Sequence, residues 1–143
     1  MKRGFSLLEL LVALAIAALL AAIAWPGYGA IIRRAQRNDA RLALLAIQHS
    51  EELHYQATST YTDALTLAAA DGGLGLAARS SAGDYELAVS LGGDGQHYTA
   101  SARALPEGRQ AADLACATLM LDDIGTRGAT DAAGRDATTQ CWR

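Results

Sequence analysis

The sequence predicts an α+β protein, with one long N-terminal α-helix and a small antiparallel sheet of about four strands packed on its second half. Three observations carry this expectation. Residues 5–25 form an apolar run in which only Ser6 and Glu9 are polar. Residues 30–56 contain neither glycine nor proline, and their apolar side chains keep helical spacing. Beyond residue 84, short alternating segments are separated by turns rich in Gly and Asp.

The apolar run comes first. The chain has 143 residues, of which 51% are hydrophobic and unevenly spread. A bilayer core takes about 20 apolar residues as a helix, so residues 5–29 read as a transmembrane and assembly helix. A secretory signal peptide fits less well. Its apolar core is about 7–15 residues long, and Trp25-Pro26-Gly27-Tyr28-Gly29 is a poor cleavage site. Lys2 and Arg3 favour a cytoplasmic N-terminus, whereas Arg33, Arg34 and Arg37 oppose that bias, so charge leaves orientation open.

Glu9 is the anomaly of the run. An ionised carboxylate in hydrocarbon costs several kcal/mol and is normally paired or functional, yet no cation lies between Leu10 and Ile32. Cleavage between Gly4 and Phe5 would create a new amino group at Phe5. A neighbouring subunit displaced by about one helical turn would present that amine to Glu9. The glutamate then sets the register of assembly, because wrong offsets leave its charge unanswered.

The helix should continue through residues 30–56 as an amphipathic segment. Ile31, Ala35, Leu42, Leu45 and Leu53 fall on one stripe, and Arg34, Arg37 and Arg41 share another side. A helix from Phe5 to Gln56 would be roughly 78 Å long at 1.5 Å per residue, too long for a small globule and suited to a shaft that packs against its own copies. Pro26 interrupts it, helped by Gly27 and Gly29, through a lost hydrogen bond and weakened propensity. Two readings stand for this break: a kink at the membrane surface, or a segment that melts on assembly.

Residues 57–83 read as a connecting loop, with turn glycines Gly72, Gly73 and Gly75 and no phosphate-binding motif. Residues 85–91 and 97–104 alternate on either side of Gly92-Gly93-Asp94-Gly95 and predict an antiparallel hairpin. A third strand is expected over residues 117–122 and a short fourth over 126–129. The last residues show no periodicity. Cys116 and Cys141 are neither a C-x-x-C pair nor at metal-finger spacing. In an exported chain such a pair most often forms a disulfide, worth roughly 3.5 kcal/mol in the chain-entropy picture; two buried free thiols are the alternative.

Charge and motifs exclude several functions. Residues 42–143 hold thirteen acids against six arginines, so this part is acidic, which argues against a nonspecific grip on nucleic acid. His49 and His54 are five apart and lack the H-E-x-x-H pattern, so a surface or packing role is expected. No G-x-S-x-G nucleophile motif occurs. No catalytic constellation, metal site or cofactor is expected.

The stretch G-F-S-L-L-E-L, residues 4–10, after a very short basic leader and before an apolar helix, resembles the type IV prepilin signature. The resemblance implies residues 1–4 as a leader, cleavage between Gly4 and Phe5 by a prepilin peptidase, N-methylation of Phe5, and Glu9 as the assembly glutamate. Q-H-S-E-E-L-H-Y, Y-T-A-S-A-R-A-L-P-E-G-R-Q-A-A-D-L-A-C, L-D-D-I-G-T-R-G-A-T and the closing C-W resemble PilE-type and ComP-type pilins. Departures are Ala117 where relatives often carry glycine after the cysteine, and W-P-G-Y in place of Ile-Pro-Ser-Tyr. The implied fold is the type IV pilin fold, with residues 84–143 as a sheet closed by a C-terminal disulfide loop.

The implied function is a structural subunit of a type IV pilus serving adhesion, twitching motility or DNA uptake. Its partners would be other pilin subunits, the prepilin peptidase, the pilus assembly machinery and the inner membrane. The chain would wait as a single-pass precursor with its C-terminal domain in the periplasm. Two alternatives stand beside this one: a type II secretion pseudopilin, and a minor pilin that captures DNA. ComP-type pilins bind DNA through a basic stripe, for which Arg103, Arg109, Arg127 and Arg135 are the candidates. Glu107 lies near Arg109 and Asp136 near Arg135, so a solvated face of mixed charge is the competing reading.

Overall fold

The computed structural model describes residues 6–143, except for the side chains of residues 23–27. Helix α1 spans Leu7–Thr58, strands β1 to β4 span Tyr85–Leu91, Tyr98–Ala104, Thr118–Asp122 and Arg127–Thr130, and a short helix α2 spans Thr138–Cys141. The strands form one antiparallel meander in the order β1-β2-β3-β4. Two compact units divide the chain, Met1–Ala35 and Gln36–Arg143.

In the first unit, Ser6 caps α1. Its hydroxyl accepts from the Leu8 amide at 3.3 Å and its carbonyl from the Leu10 amide at 3.2 Å. Glu9 lies in the first turn, where a negative charge suits the helix dipole. The backbone stays helical across Pro26, Gly27 and Gly29, so the isolated chain does not show the interruption expected there. Proline removes a single hydrogen bond, and its fixed φ is compatible with a helix. Among the described residues no helix is both long and apolar enough to cross a membrane. The described side chains of the apolar run stop at residue 22, short of the roughly 20 residues a span takes.

In the second unit, α1 buries Arg37, Ala40, Leu44, Ile47 and Glu51, a stripe at alternating spacings of three and four. It is a different stripe from the one read in the sequence, which stays uncovered: Ile31 and Ala35 of the first unit are exposed, and so are Leu42, Leu45 and Leu53 of the second. The helix carries two apolar stripes, and the sheet covers one of them. The small Ala100 and Ala102 of β2, flanked by Tyr85, Tyr98, Leu119 and Leu121, form the surface that receives Leu44 and Ile47. Burying each of those two fully contributes about 1.5–3 kcal/mol. Arg37 and Glu51 at the ends of the buried stripe disguise it in sequence.

The segment between α1 and β1 wraps this core. Leu65 and Leu74 insert into it, and Gly73 passes so close to the Leu67 carbonyl that it leaves no room for a Cβ. The β1–β2 turn is fastened back to α1 by the Tyr55 hydroxyl, which donates to Gln96 at 2.7 Å, and to the segment after α1 by the Tyr61 amide, which donates to the Gly95 carbonyl at 2.9 Å. Tyr61 stacks edge-on to Tyr98, ring centres 4.8 Å apart. Cys116 and Cys141 form a disulfide with Cα atoms 5.7 Å apart, both buried beside Ala129.

Candidate functional site

The residues that the sequence singles out for assembly and for a disulfide lie in two regions, the start of α1 and the C-terminal loop. At the start, Leu7, Leu8, Leu10, Leu11, Leu14, Leu19 and Leu20 are all exposed, Leu7 by 79%. Glu9 is exposed among them, and among the described residues no salt bridge reaches it. Gly4 and Phe5, the expected cleavage and methylation positions, lie outside the described residues. Gly29 packs closely, since a Cβ there would meet the Arg33 guanidinium at 3.3 Å.

The C-terminal region is built on the disulfide loop and β4. Trp142 donates its indole N–H to the Gly128 carbonyl at 2.8 Å. Arg41 of α1 donates to the Cys141 carbonyl at 2.5 Å and to a main-chain oxygen of Arg143 at 2.8 Å. The same guanidinium lies 5.8 Å from the Trp142 ring centre, and that of Arg127 lies 5.2 Å from it.

The four candidate arginines do not converge. Arg109 forks onto the buried Asp84, with Nε at 3.2 Å and Nη2 at 2.7 Å, while its own backbone amide donates to the same carboxylate at 3.1 Å. The hydrogen bond to Asp84 raises the Arg109 pKa still further. Arg135 pairs with Asp131 at 2.7 Å, and the Arg135 amide and side chain hold that carboxyl below its usual range. The acids nearest in sequence are spent elsewhere: Glu107 faces Arg79 at 3.6 Å, and Asp136 accepts from the Thr138 hydroxyl at 2.6 Å.

Register separates the other two. Residues directly opposite in antiparallel strands share a face. Arg103 is opposite Glu86 on β1 and Thr118 on β3, on the face away from α1. Arg127 is opposite Leu121, whose side chain is in the core, so it lies on the helix face. No single stripe contains both.

Sequence reasoning missed several key residues. Arg37 donates to Asp113 at 2.6 and 2.8 Å, and this buried pair ties α1 to the β2–β3 connection and raises the Arg37 pKa. Glu51 is fully buried, and burial pushes its carboxyl up to about 7; its Oε2 accepts from the Thr62 amide at 3.2 Å. Arg41 and Trp142 lie a hundred residues apart, and only the odd aromatic at the end of the chain hinted at a joint role.

Residues 1–25 match the prokaryotic N-terminal methylation motif. Residues 26–120 match the family described as type IV minor pilin ComP, DNA uptake sequence receptor. The chain therefore belongs to the ComP family of type IV minor pilins. The family is structural rather than enzymatic, and its N-terminal motif places it at the cell envelope, in a pilus or outside the cell. A solved type IV pilin from Shewanella oneidensis is similar, with 23% identity, coverage of 66% of this chain and 89% of that one, and a TM-score of 0.48. No curated protein matches the chain.

Proposed function

We propose that this chain is a DNA-capturing subunit of a type IV pilus. It is made as a single-pass inner-membrane precursor with its C-terminal domain in the periplasm. Prepilin peptidase cuts it between Gly4 and Phe5, Phe5 is N-methylated, and the assembly machinery packs it into a filament through residues 5–29. The observation that supports assembly is the row of exposed leucines around Glu9. A surface of that kind demands lipid or neighbouring subunits, and the lone acid demands an amine. The exposed stripe of Leu42, Leu45 and Leu53 extends the same demand along α1.

The DNA-capturing part is supported by the family description over residues 26–120. In an acidic domain such binding must come from a local cluster of cations, so affinity should fall steeply with salt. Gel-shift titration of the full chain in detergent with a duplex fragment tests it. Binding at low salt that weakens as salt rises is expected, and no shift at any salt concentration overturns it.

A further inference from the structure

We propose that a cleft on the outer face of the sheet binds a carboxylated sugar, a uronic acid, through the row Arg103, Thr118 and Thr130. The cleft has a volume of about 400 Å³ and lies on the side of β2, β3 and β4 away from α1. The β2–β3 connection walls it with Pro106, Ala111 and Leu114, and the turn after β4 closes it with Ala132. Small-ligand sites have this character, a few placed polar groups among apolar walls.

Register builds the row. Arg103 of β2 is directly opposite Thr118 of β3, and Thr118 is directly opposite Thr130 of β4. Side chains so paired share a face about 5 Å apart, so one guanidinium and two hydroxyls stand in line over roughly 10 Å. Arg103 is exposed and both threonines are half-buried. Among the described residues none of these three side chains makes a hydrogen bond or an ion pair. Glu86 is opposite Arg103 on its other side, but it forms no ion pair with it and is not part of the cleft wall.

Two carboxylates do line the cleft, and both are taken. Asp113 accepts from Arg37 at 2.6 and 2.8 Å. Asp131 accepts from the Arg135 side chain at 2.7 Å and from the Ala133 and Arg135 amides at 2.9 Å each. Arg103 is the one cation in the wall, and its charge is left for a ligand.

The chemistry of the row selects that ligand. A guanidinium matches a carboxylate as a planar fork. A threonine hydroxyl both donates and accepts, as a sugar hydroxyl does, whereas a phosphate diester only accepts. No aromatic ring lines the cleft, so a nucleobase would find nothing there to stack on. The apolar walls suit the C–H edges of a sugar ring. This site is separate from DNA capture and from the surfaces of α1 assigned to assembly.

The test is an NMR titration of the isotope-labelled full chain in detergent with D-glucuronate, and with D-glucose, acetate and inorganic phosphate for comparison. Glucuronate should shift the amide signals of Arg103, Thr118 and Thr130 and bind more tightly than the other three. R103Q should weaken it by roughly tenfold or more, the worth of one charge-assisted hydrogen bond. T118V keeps the β-branched shape that suits a strand and should weaken it about two- to tenfold. Both side chains are on the sheet surface with no internal bond to lose, so the remaining signals should stay in place. Glucose binding as tightly as glucuronate removes the role of charge, and acetate or phosphate binding as tightly removes the sugar. Glucuronate affinity unchanged in R103Q removes the row. Any of these results overturns the proposal, as does the absence of glucuronate binding, and each leaves DNA capture to its own gel-shift test.

Discussion

Glu51 offers the sharpest test of the core. It is fully buried on α1, Asp63 and Glu52 repel its charge, and one backbone amide of Thr62 favours it. Its Oε1 and the Tyr98 hydroxyl are buried without partners. Burial lifts its carboxyl from 4.5 to about 7. Between those values the folded protein binds more protons at this site than the unfolded chain, so its neutral form stabilises the fold fully below about pH 4.5. That contribution is lost as pH rises through 7. At about 1.4 kcal/mol per pKa unit the loss approaches 3 kcal/mol.

Glu51→Gln keeps an oxygen acceptor for the Thr62 amide and removes the titration. The variant should match wild type near pH 4.5 and be the more stable at pH 8 by up to about 3 kcal/mol, which is on the order of 10 °C in Tm for a domain of this size. Urea unfolding of both proteins from pH 4.5 to 8, followed by fluorescence, measures the difference. Parallel curves for the two across that range would refute the argument, because the carboxylate would then titrate alike in the folded and unfolded chain.

Other perturbations follow from the same structure. Replacing Cys116 and Cys141 together by serine should cost about 2–5 kcal/mol, seen as a lower urea midpoint, and should free the chain end that carries Trp142. Asp113→Ala should be destabilising by about 3–5 kcal/mol, since it strands the Arg37 charge inside; the double change Arg37→Leu with Asp113→Ala should cost less than the two single changes summed. His97 should titrate above the ordinary imidazole value in an NMR pH series, because Asp123 accepts from its ring. Asp123→Asn should lower it, with Asp94 and Asp122 still acting on the ring.

Much of the architecture was legible in sequence because its signals are local. Tyr85 to Leu91 and Tyr98 to Ala104 alternate strictly around a glycine turn, and β1 and β2 occupy those residues. The two cysteines paired as expected. The buried face of α1 was illegible for a physical reason. Leu42, Leu45 and Leu53 form as good an apolar stripe as Ala40, Leu44 and Ile47, and the choice was made by the shape of the alanine-lined sheet. The arginines were illegible in the same way. Sequence neighbours suggested Glu107 and Asp136 as their partners, whereas Asp84 and Asp131 hold them. Register, which no local pattern reveals, put Arg103 and Arg127 on opposite faces. The Arg41–Trp142–Arg127 cluster joins three distant segments and exists only once the chain has folded.

Mass spectrometry of pili sheared from cells bears most directly on what this molecule is for. A filament-borne peptide starting with N-methylated Phe5 is the predicted finding. Pili that lack the chain altogether, or a chain still carrying Met1 through Gly4 within them, would contradict it.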